Sequence, residues 1–165
     1  MMELKIKITP ATTENFDEIW RIFKSVISTG ETYVNDDETT KEQAYAKWMN
    51  KAAKTFVAKI DDEIVGVYLI KPNQVDRGSH IANASYIVDE NKRGFGIGKS
   101  LALHSISTAK ELGYKAMQFN FVVSTNKAAV NLWQSVGFKI IGTIPQGFKH
   151  KVLGYVDAYI MFREL

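Results

Sequence analysis

The chain has 165 residues, a formal net charge of +3 and no cysteine. The lack of cysteine excludes a disulfide framework, a thiol nucleophile and a thiolate metal site, and the scattered basic residues argue against nucleic-acid binding. No apolar run approaches the roughly 20 residues that span a bilayer, and the first residues do not resemble a signal peptide, so we expect a cytoplasmic protein with one domain, residues 1–165, and no membrane contact.

The first half of the chain alternates strand and helix patterns. Leu4, Ile6 and Ile8 alternate with polar residues and predict a strand over residues 4–9. Thr13 is suited to cap an amphipathic helix that ends near Gly30. The next predicted elements are a helix over 40–53, a hairpin of strands 55–60 and 63–71, and a strand over 82–88.

The second half repeats this alternation. A helix opens within the glycine-rich segment 94–98 and stops at Gly113, and it is followed by a strand over 116–123 and a helix over 127–136. Two final strands, 139–144 and 155–162, flank a predicted loop over 146–155. Helices between sheet-forming runs predict an α/β sheet covered on both faces.

The glycine-rich segment Arg93-Gly94-Phe95-Gly96-Ile97-Gly98 lies where a strand becomes a helix. Glycines at such a turn let backbone N–H groups approach a ligand, and the helix N-terminus favours an anion such as a pyrophosphate. Lys92, Arg93 and Lys99 add positive charge. The spacing excludes a dinucleotide-binding G-x-G-x-x-G loop and a phosphate-binding G-x-x-x-x-G-K-[ST] loop, because position 93 is arginine and the next strand has no carboxylate.

A second motif follows the strand 116–123, in the segment Asn126-x-x-Ala129-x-x-Leu132-Trp133-x-x-x-Gly137-Phe138. Together with Arg93-x-x-Gly96-x-Gly98, which matches an acyl-CoA pyrophosphate signature, it resembles the two motifs of the GNAT superfamily of N-acetyltransferases. Segments 119–126 and 154–158 are similar to the branch that acetylates small amino acids and their analogues, including proline-analogue and phosphinothricin-type acetyltransferases.

The resemblance implies a GNAT fold, in which a mixed central sheet has helices on both faces and a splayed strand pair holds acetyl-CoA. It implies acetyl-CoA as co-substrate, with no metal, lying along one splayed strand and the glycine-rich segment. The implied cofactor-binding residues are Ile87, Val88, Arg93, Gly94, Phe95, Gly96, Ile97, Gly98, Lys99, Ser100 and Asn126. Asn126 is also a favoured helix cap, and the two roles are compatible.

The implied reaction transfers acetyl directly to the amine of a small molecule and needs a proton donor for the leaving thiolate. Many relatives donate from a tyrosine at the position of Trp133. Tyr86, Tyr155 and Tyr159 are substitutes in principle, and we take Tyr155 as the catalytic candidate. Residues 81–85 contain no carboxylate to act as a base, so we expect a water chain to remove the ammonium proton.

Two asparagines interrupt apolar strands next to the implied cleft. Asn83 and Asn120 each place an amide where burial without a partner is costly. Either residue could hydrogen-bond the acceptor's carboxylate or the reacting carbonyl, which makes both catalytic and substrate-binding candidates. A solvated position or a cross-strand hydrogen bond is the alternative for each.

The acceptor pocket is expected between two loops, because loops carry specificity on a rigid scaffold. The predicted substrate-binding residues are Thr29, Glu31, Thr32, Tyr33, Asn83, Asn120 and His150, although a solvated loop position remains the alternative for Glu31 and His150. A protein N-terminus or lysine side chain as acceptor, and an acyl-CoA-binding module without turnover, remain alternative functions.

Apolar residues in and beside the predicted late loop favour self-association. Phe148, Val152, Leu153 and Tyr155 give more apolar surface than a solvated loop usually shows. We therefore expect a homodimer in which this segment closes the active site, with packing into the protein's own core as the alternative.

Overall fold

A computed structural model of the chain describes residues 4–165. The strands are β1 (Lys7–Pro10), β2 (Lys54–Ile60), β3 (Glu63–Pro72), β4 (Ile81–Val88), β5 (Ala116–Val123), β6 (Lys139–His150) and β7 (Gly154–Glu164). The α-helices are α1 (Phe16–Ser28), α2 (Lys41–Trp48), α3 (Ile97–Glu111) and α4 (Lys127–Ser135).

The strands form one mixed sheet in the order β1-β2-β3-β4-β5-β7-β6. All neighbours are antiparallel except β4 and β5, which run parallel. The register pairs of this parallel ladder are Ile81 with Ala116 and Ala82 with Met117. Beyond these pairs the two strands separate, and the sheet opens into a cleft at its centre.

Helices cover both faces of the sheet, as expected. On one face, α1 and α2 bury Phe23 and Trp48 in one apolar cluster. On the other face, α3 and α4 bury Leu101 and Trp133 in a second cluster. Each helix buries one apolar side against the sheet, so the sheet is held from both sides and the cleft opens between two packed layers.

Some predicted element ends are wrong because local hydrogen bonds decide them. The first strand is Lys7–Pro10 rather than 4–9. Residues Thr13–Asn15 form a 3-10 turn capped by Thr12, so Thr13 is not the cap of α1. The second helix ends at Trp48 and not at residue 53. At this end the Trp48 carbonyl accepts a hydrogen bond from the Thr55 hydroxyl.

The predicted late loop over 146–155 is also wrong, since most of it is a β-hairpin. Strand β6 continues to His150, and β7 begins at Gly154. Pro145 and Gly147, whose residue types are common in turns, lie in β6 within a register irregularity between Ile144 and Phe148. Gln146 adopts a φ of 50° there, and its N–H donates to Asp157 Oδ1 at 2.9 Å.

Helix α3 lies close to β3 at Gly66. A Cβ at Gly66 would lie 2.9 Å from Ile97 Cγ2, 3.0 Å from Leu101 Cδ1 and 3.3 Å from the Ile87 carbonyl oxygen. Because Ile97 begins α3 within the glycine-rich segment, this close approach also positions that segment.

We predict that Gly66→Ala lowers the free energy of unfolding by about 1–3 kcal/mol, the usual cost of overpacking a core. Gly142→Ala is the matched control, because a Cβ there meets Ile160 at an ordinary 3.5 Å. That variant should be as stable as wild type or more stable by about 0.4–1 kcal/mol. Urea unfolding measures both, and a Gly66→Ala protein as stable as Gly142→Ala would contradict the predicted overpacking.

Candidate active site

The gap between β4 and β5 forms a cleft of about 810 Å³. Most of its lining comes from four places: the connection between α1 and α2, strand β4, the glycine-rich segment, and the end of β5 with α4. The N-termini of α3 and α4 both border it. Each such N-terminus presents N–H groups without helical partners, which suits an anionic ligand.

Strand β4 turns toward this cleft the backbone groups that do not bond β3. Asp89 N–H donates to Val65 on β3, whereas the Tyr86 carbonyl accepts from the Tyr33 hydroxyl across the opening. Since alternate residues of an antiparallel strand bond the same neighbour, the backbone groups of Ala84, Tyr86 and Val88 face away from β3. This edge of β4 is available to an extended ligand.

The glycine-rich segment begins from a fixed turn. Asp89 is buried, forms an ion pair with Arg21 at 3.1 Å and accepts the Asn91 N–H at 3.0 Å. Gly96 is the N-cap residue of α3, with a left-handed φ of 76°, and a Cβ there would meet nothing within 4 Å. The space beside the backbone is therefore open to a ligand.

Most of the predicted cofactor residues line the cleft together. These are Ile87, Val88, Arg93, Gly94, Gly96, Ile97, Gly98 and Asn126. Phe95, Lys99 and Ser100 lie outside its lining, and Ser100 N–H bonds the Gly96 carbonyl within the first turn of α3. These three residues lie in the turn and the first turn of α3, beside the cleft and not in its lining.

The second strand-to-helix turn brings two polar side chains to the cleft. Asn126 caps α4, since its Oδ1 accepts the Ala129 N–H at 3.3 Å. The hydroxyl of Thr125 is buried without a hydrogen-bond partner among residues 4–165, and this residue also lines the cleft. Sequence analysis missed Thr125, because a threonine before a helix cap has no distinctive pattern.

Trp133 occupies an aromatic cluster at the cleft wall. Its ring centroid lies 4.6 Å from those of both Tyr86 and Phe119. The Tyr86 hydroxyl is bonded to Ser105 Oγ at 2.7 Å, and burial raises the pKa of this tyrosine. Tyr86 is therefore a protonated residue whose hydroxyl is already engaged with α3.

The structure does not bring Tyr155 to the cleft. Its side chain is 65% exposed, and the residue lies outside the cleft lining, as does Tyr159. Tyr155 is on β7 near the tip of the hairpin, where the predicted loop would have left it free to turn inward. We therefore do not retain Tyr155 as a proton donor within this chain.

The two strand asparagines line the cleft and already have hydrogen-bond partners. Asn83 Nδ2 donates to the Gln118 carbonyl at 2.9 Å and so bridges β4 and β5 where they begin to separate. Asn120 lies at a bulge of β5, donates to Asn73 Oδ1 at 2.7 Å and accepts from Gln118 Nε2 at 3.0 Å. Asn83 thus makes a cross-strand hydrogen bond, which was the alternative to a substrate contact. Asn120 belongs to an exposed network of amide side chains at the cleft rim.

The connection between α1 and α2 covers one end of the cleft. Tyr33 donates its hydroxyl to the Tyr86 carbonyl at 2.8 Å, and burial raises the pKa of Tyr33. Glu31 and Thr32 line the cleft beside it. Thr29 does not, because its hydroxyl donates to the Val26 carbonyl and accepts the Glu31 N–H, which closes the end of α1.

His150 is buried, not a solvated loop residue. It is 8% exposed and lines the cleft, and its Nδ1 accepts the N–H groups of Val152 and Leu153, each at 3.1 Å. Because Nδ1 is an acceptor, the neutral ring carries its proton on Nε2. In the neutral ring, Nε2 is therefore the hydrogen-bond donor of His150.

Lys47 is a cleft residue that sequence analysis missed. It lies in the last turn of α2, half-buried, and lines the cleft together with Tyr33 and Asn83. Burial lowers the pKa of Lys47, and the charge of Lys71 lowers it further. Helical spacing could have indicated that Lys47 is partly buried, since it lies three residues after the buried Ala44 and just before the buried Trp48.

Among residues 4–165, no helix combines the length and apolar character needed to cross a bilayer.

Comparison with known proteins agrees with this geometry. The chain matches the model of the Acetyltransferase (GNAT) family over residues 14–138. N-acetyltransferase aca1 of Schizosaccharomyces pombe is 33% identical over 151 residues, covering 81% of this chain and 72% of that protein. L-amino acid N-acetyltransferase AaaT of Escherichia coli is 28% identical, covering 96% and 98%.

A solved structure with the same architecture is that of a GCN5-related N-acetyltransferase from Kribbella flavida. It superimposes with a TM-score of 0.94 at 40% sequence identity, over 97% of this chain and 98% of that one. The split sheet and the two helix N-termini at the cleft agree with these similarities. The chain therefore belongs to the GNAT acetyltransferase family and is an N-acetyltransferase that uses acetyl-CoA.

Proposed function

We propose that this N-acetyltransferase acetylates the amine of a free amino acid or a close analogue. Acetyl-CoA binds along β4 with its pyrophosphate on the N-terminus of α3, and the acceptor enters from the end of the cleft covered by the α1–α2 connection. The relative from Escherichia coli, whose printed name is L-amino acid N-acetyltransferase, matches this chain over nearly its whole length and supports the proposal.

The observation that carries the proposal is the closure of the acceptor end. Lys151 N–H donates to the Gly30 carbonyl at 3.0 Å, and Lys151 Nζ donates to the Ser28 carbonyl at 3.1 Å. These bonds join the β6–β7 hairpin to the α1–α2 connection, while Tyr33 joins that connection to β4. An acceptor site closed from two sides fits a small molecule better than a peptide lying in an open groove.

The residues at this end have distinct roles in the proposed transfer. Acetyl-CoA supplies the activated acetyl thioester. Exposed backbone N–H groups of β4 are placed to hold an extended ligand and to stabilise a developing oxyanion. His150 Nε2–H and Glu31 offer a donor and an acceptor to a zwitterionic amino acid, and water relays the ammonium proton because His150 Nδ1 already accepts two backbone N–H groups.

A substrate screen tests the proposal. Acetyl-CoA consumption by the purified protein is measured with the standard amino acids, their amides, small amino-acid analogues and a short peptide with a free N-terminus. We expect turnover with at least one free amino acid or analogue and much lower turnover with the peptide. Efficient acetylation of the peptide alone would reject the proposed acceptor class.

The proposed pyrophosphate site predicts that Gly96→Val abolishes acetyl-CoA binding. A branched side chain is strained at a φ of 76° and would occupy the open space beside the turn. Gly113→Val is the matched control, because Gly113 has a φ of 83°, an equally empty Cβ position and a place at the opposite end of α3. Both variants should lose similar stability, while isothermal titration should detect acetyl-CoA binding only in Gly113→Val. Equal binding by both folded variants would exclude this site.

Asn120 and Asn126 are expected to affect different substrates. If the Asn120 amide binds the acceptor, Asn120→Ala should lower kcat/KM for the amino acid. The fall should correspond to a loss of about 1.5–3 kcal/mol of transition-state stabilisation, with acetyl-CoA affinity near wild type. Asn126→Ala should weaken acetyl-CoA binding and also cost about 1 kcal/mol of stability as a lost cap.

Asn73→Ala is the control for Asn120, because it removes the Oδ1 acceptor of the Asn120 amide and leaves Asn120 itself in place. Steady-state kinetics and thermal unfolding are measured on all three variants. A lower Tm in Asn120→Ala and Asn73→Ala, with kcat/KM unchanged in both, would reject a substrate role for Asn120.

We also propose a homodimer that uses the tip of the β6–β7 hairpin. Val152, Leu153 and Tyr155 are 77%, 61% and 65% exposed, which is a large apolar surface for one hairpin. Phe148, in contrast, is buried within this chain. Because the same hairpin bonds the α1–α2 connection, association there would brace the acceptor end.

This proposal predicts a dimer by sedimentation velocity at micromolar concentration and a monomer for Val152→Asp. Val75→Asp is the matched control, since Val75 is 78% exposed but lies in the connection between β3 and β4. It should sediment as wild type does. A monomeric wild-type protein would contradict the proposed interface.

A further inference from the structure

Lys47 is a lysine in the cleft wall without a counterion. The other lysine of α2 is different, because Lys41 Nζ pairs with Asp17 Oδ1 at 2.6 Å. No carboxylate of residues 4–165 lies within salt-bridge distance of Lys47 Nζ. A half-buried ammonium normally acquires a partner, because removing charge from water is costly.

Aromatic rings fix the position of this side chain. Lys47 Nζ lies 5.5 Å from the ring centroid of Tyr33 and 5.7 Å from that of Trp48. Contacts of this kind favour the cation. Tyr33 is in turn held by its hydrogen bond to the Tyr86 carbonyl, so the ammonium is held beside the acceptor end of β4.

A second lysine makes this end of the cleft more positive. Lys71 pairs with Asn83 in the β3–β4 register, and its charge contributes to lowering the pKa of Lys47, after the larger effect of burial. An anion bound between Lys47 and Lys71 would offset both the cost of burying the Lys47 ammonium and its repulsion by Lys71. The glycine-rich segment lies beyond the other end of β4, so this positive charge is separate from the proposed pyrophosphate site.

We infer that Lys47 binds the carboxylate of the acceptor and thereby selects amino acids over other amines. The inference rests on the proposed function and names the group by which the acceptor is recognised. Attraction of the carboxylate and repulsion of the ammonium together orient a zwitterionic acceptor, with its amine directed away from Lys47. A lysine that only packs its stem on aromatic rings would have no such selectivity.

The test compares three forms of one acceptor: the best amino acid from the screen, its methyl ester and its primary amide. All three keep the α-amine, and only the first has a carboxylate. Kinetics are measured for wild type, Lys47→Met, Lys47→Arg and the control Lys51→Met, which changes an exposed lysine outside the cleft lining. Comparing each acceptor between proteins cancels the different basicities of the three amines.

We expect Lys47→Met to lower kcat/KM for the free acid by about 10-fold to 100-fold, mainly through KM, the range for a lost hydrogen bond to a charged group. The ester and amide should change little, Lys47→Arg should retain part of the preference for the acid, and Lys51→Met should match wild type. Acetyl-CoA affinity and Tm should be unchanged in every variant.

The outcomes separate this inference from the proposed function. Turnover of amino acids with an equal loss for acid, ester and amide in Lys47→Met overturns the role of Lys47 alone. A fall in kcat for all three acceptors in both Lys47→Arg and Lys47→Met overturns it as well, because that pattern indicates a base. No turnover with any small amine overturns the proposed function and this inference with it.

Discussion

The separation of β4 from β5 is the constraint on which the rest of the molecule depends. Two parallel strands in mid-sheet would normally pair along their length, but here the ladder holds Ile81 and Ala82 against Ala116 and Met117 and then opens. Large aromatic residues line the opening: Tyr86, Phe119 and Trp133 contact one another with ring centroids 4.6–5.7 Å apart. Asn83 replaces the next ladder bond with a side-chain bond to Gln118.

Opening a sheet exposes backbone groups that must be satisfied, and this protein uses them. The Tyr86 carbonyl accepts a hydrogen bond from the Tyr33 hydroxyl, and the other backbone groups on this edge of β4 are available to a ligand. The N-termini of α3 and α4 face the same space because each is the next α-helix after a strand that borders it. The separation of β4 from β5 thus provides both an extended strand edge and two helix N-termini that suit an anion.

The proposed acceptor end is assembled by segments distant in sequence. The α1–α2 connection bonds β4 through Tyr33 and the late hairpin through Lys151, so residues near positions 30, 86 and 150 meet. Lys47 and His150 join them from α2 and β6. Each of these contacts spans tens of residues, and their geometry depends on the whole sheet being formed.

The sequence by itself determined the elements with strong local signals and the position of the two motifs at the proposed cofactor side of the cleft. Strand 116–123 was predicted at both ends, and the glycine-rich segment and Asn126 were located because helix N-termini and left-handed turns demand particular residues. These features depend on neighbours in the chain. They can therefore be inferred from spacing and from resemblance to a family.

Only the tertiary structure decided the environment of the residues at the proposed acceptor side. A lysine in a helix is normally solvated, a proline and a glycine normally break a strand, and a histidine in such a segment is normally exposed. Here the packing of α2 beside β4 half-buried Lys47, pairing with β7 carried β6 through Pro145 and Gly147, and the hairpin turn buried His150. The physical reason is that burial and strand pairing are set by contacts between distant segments, which local patterns of residues do not encode.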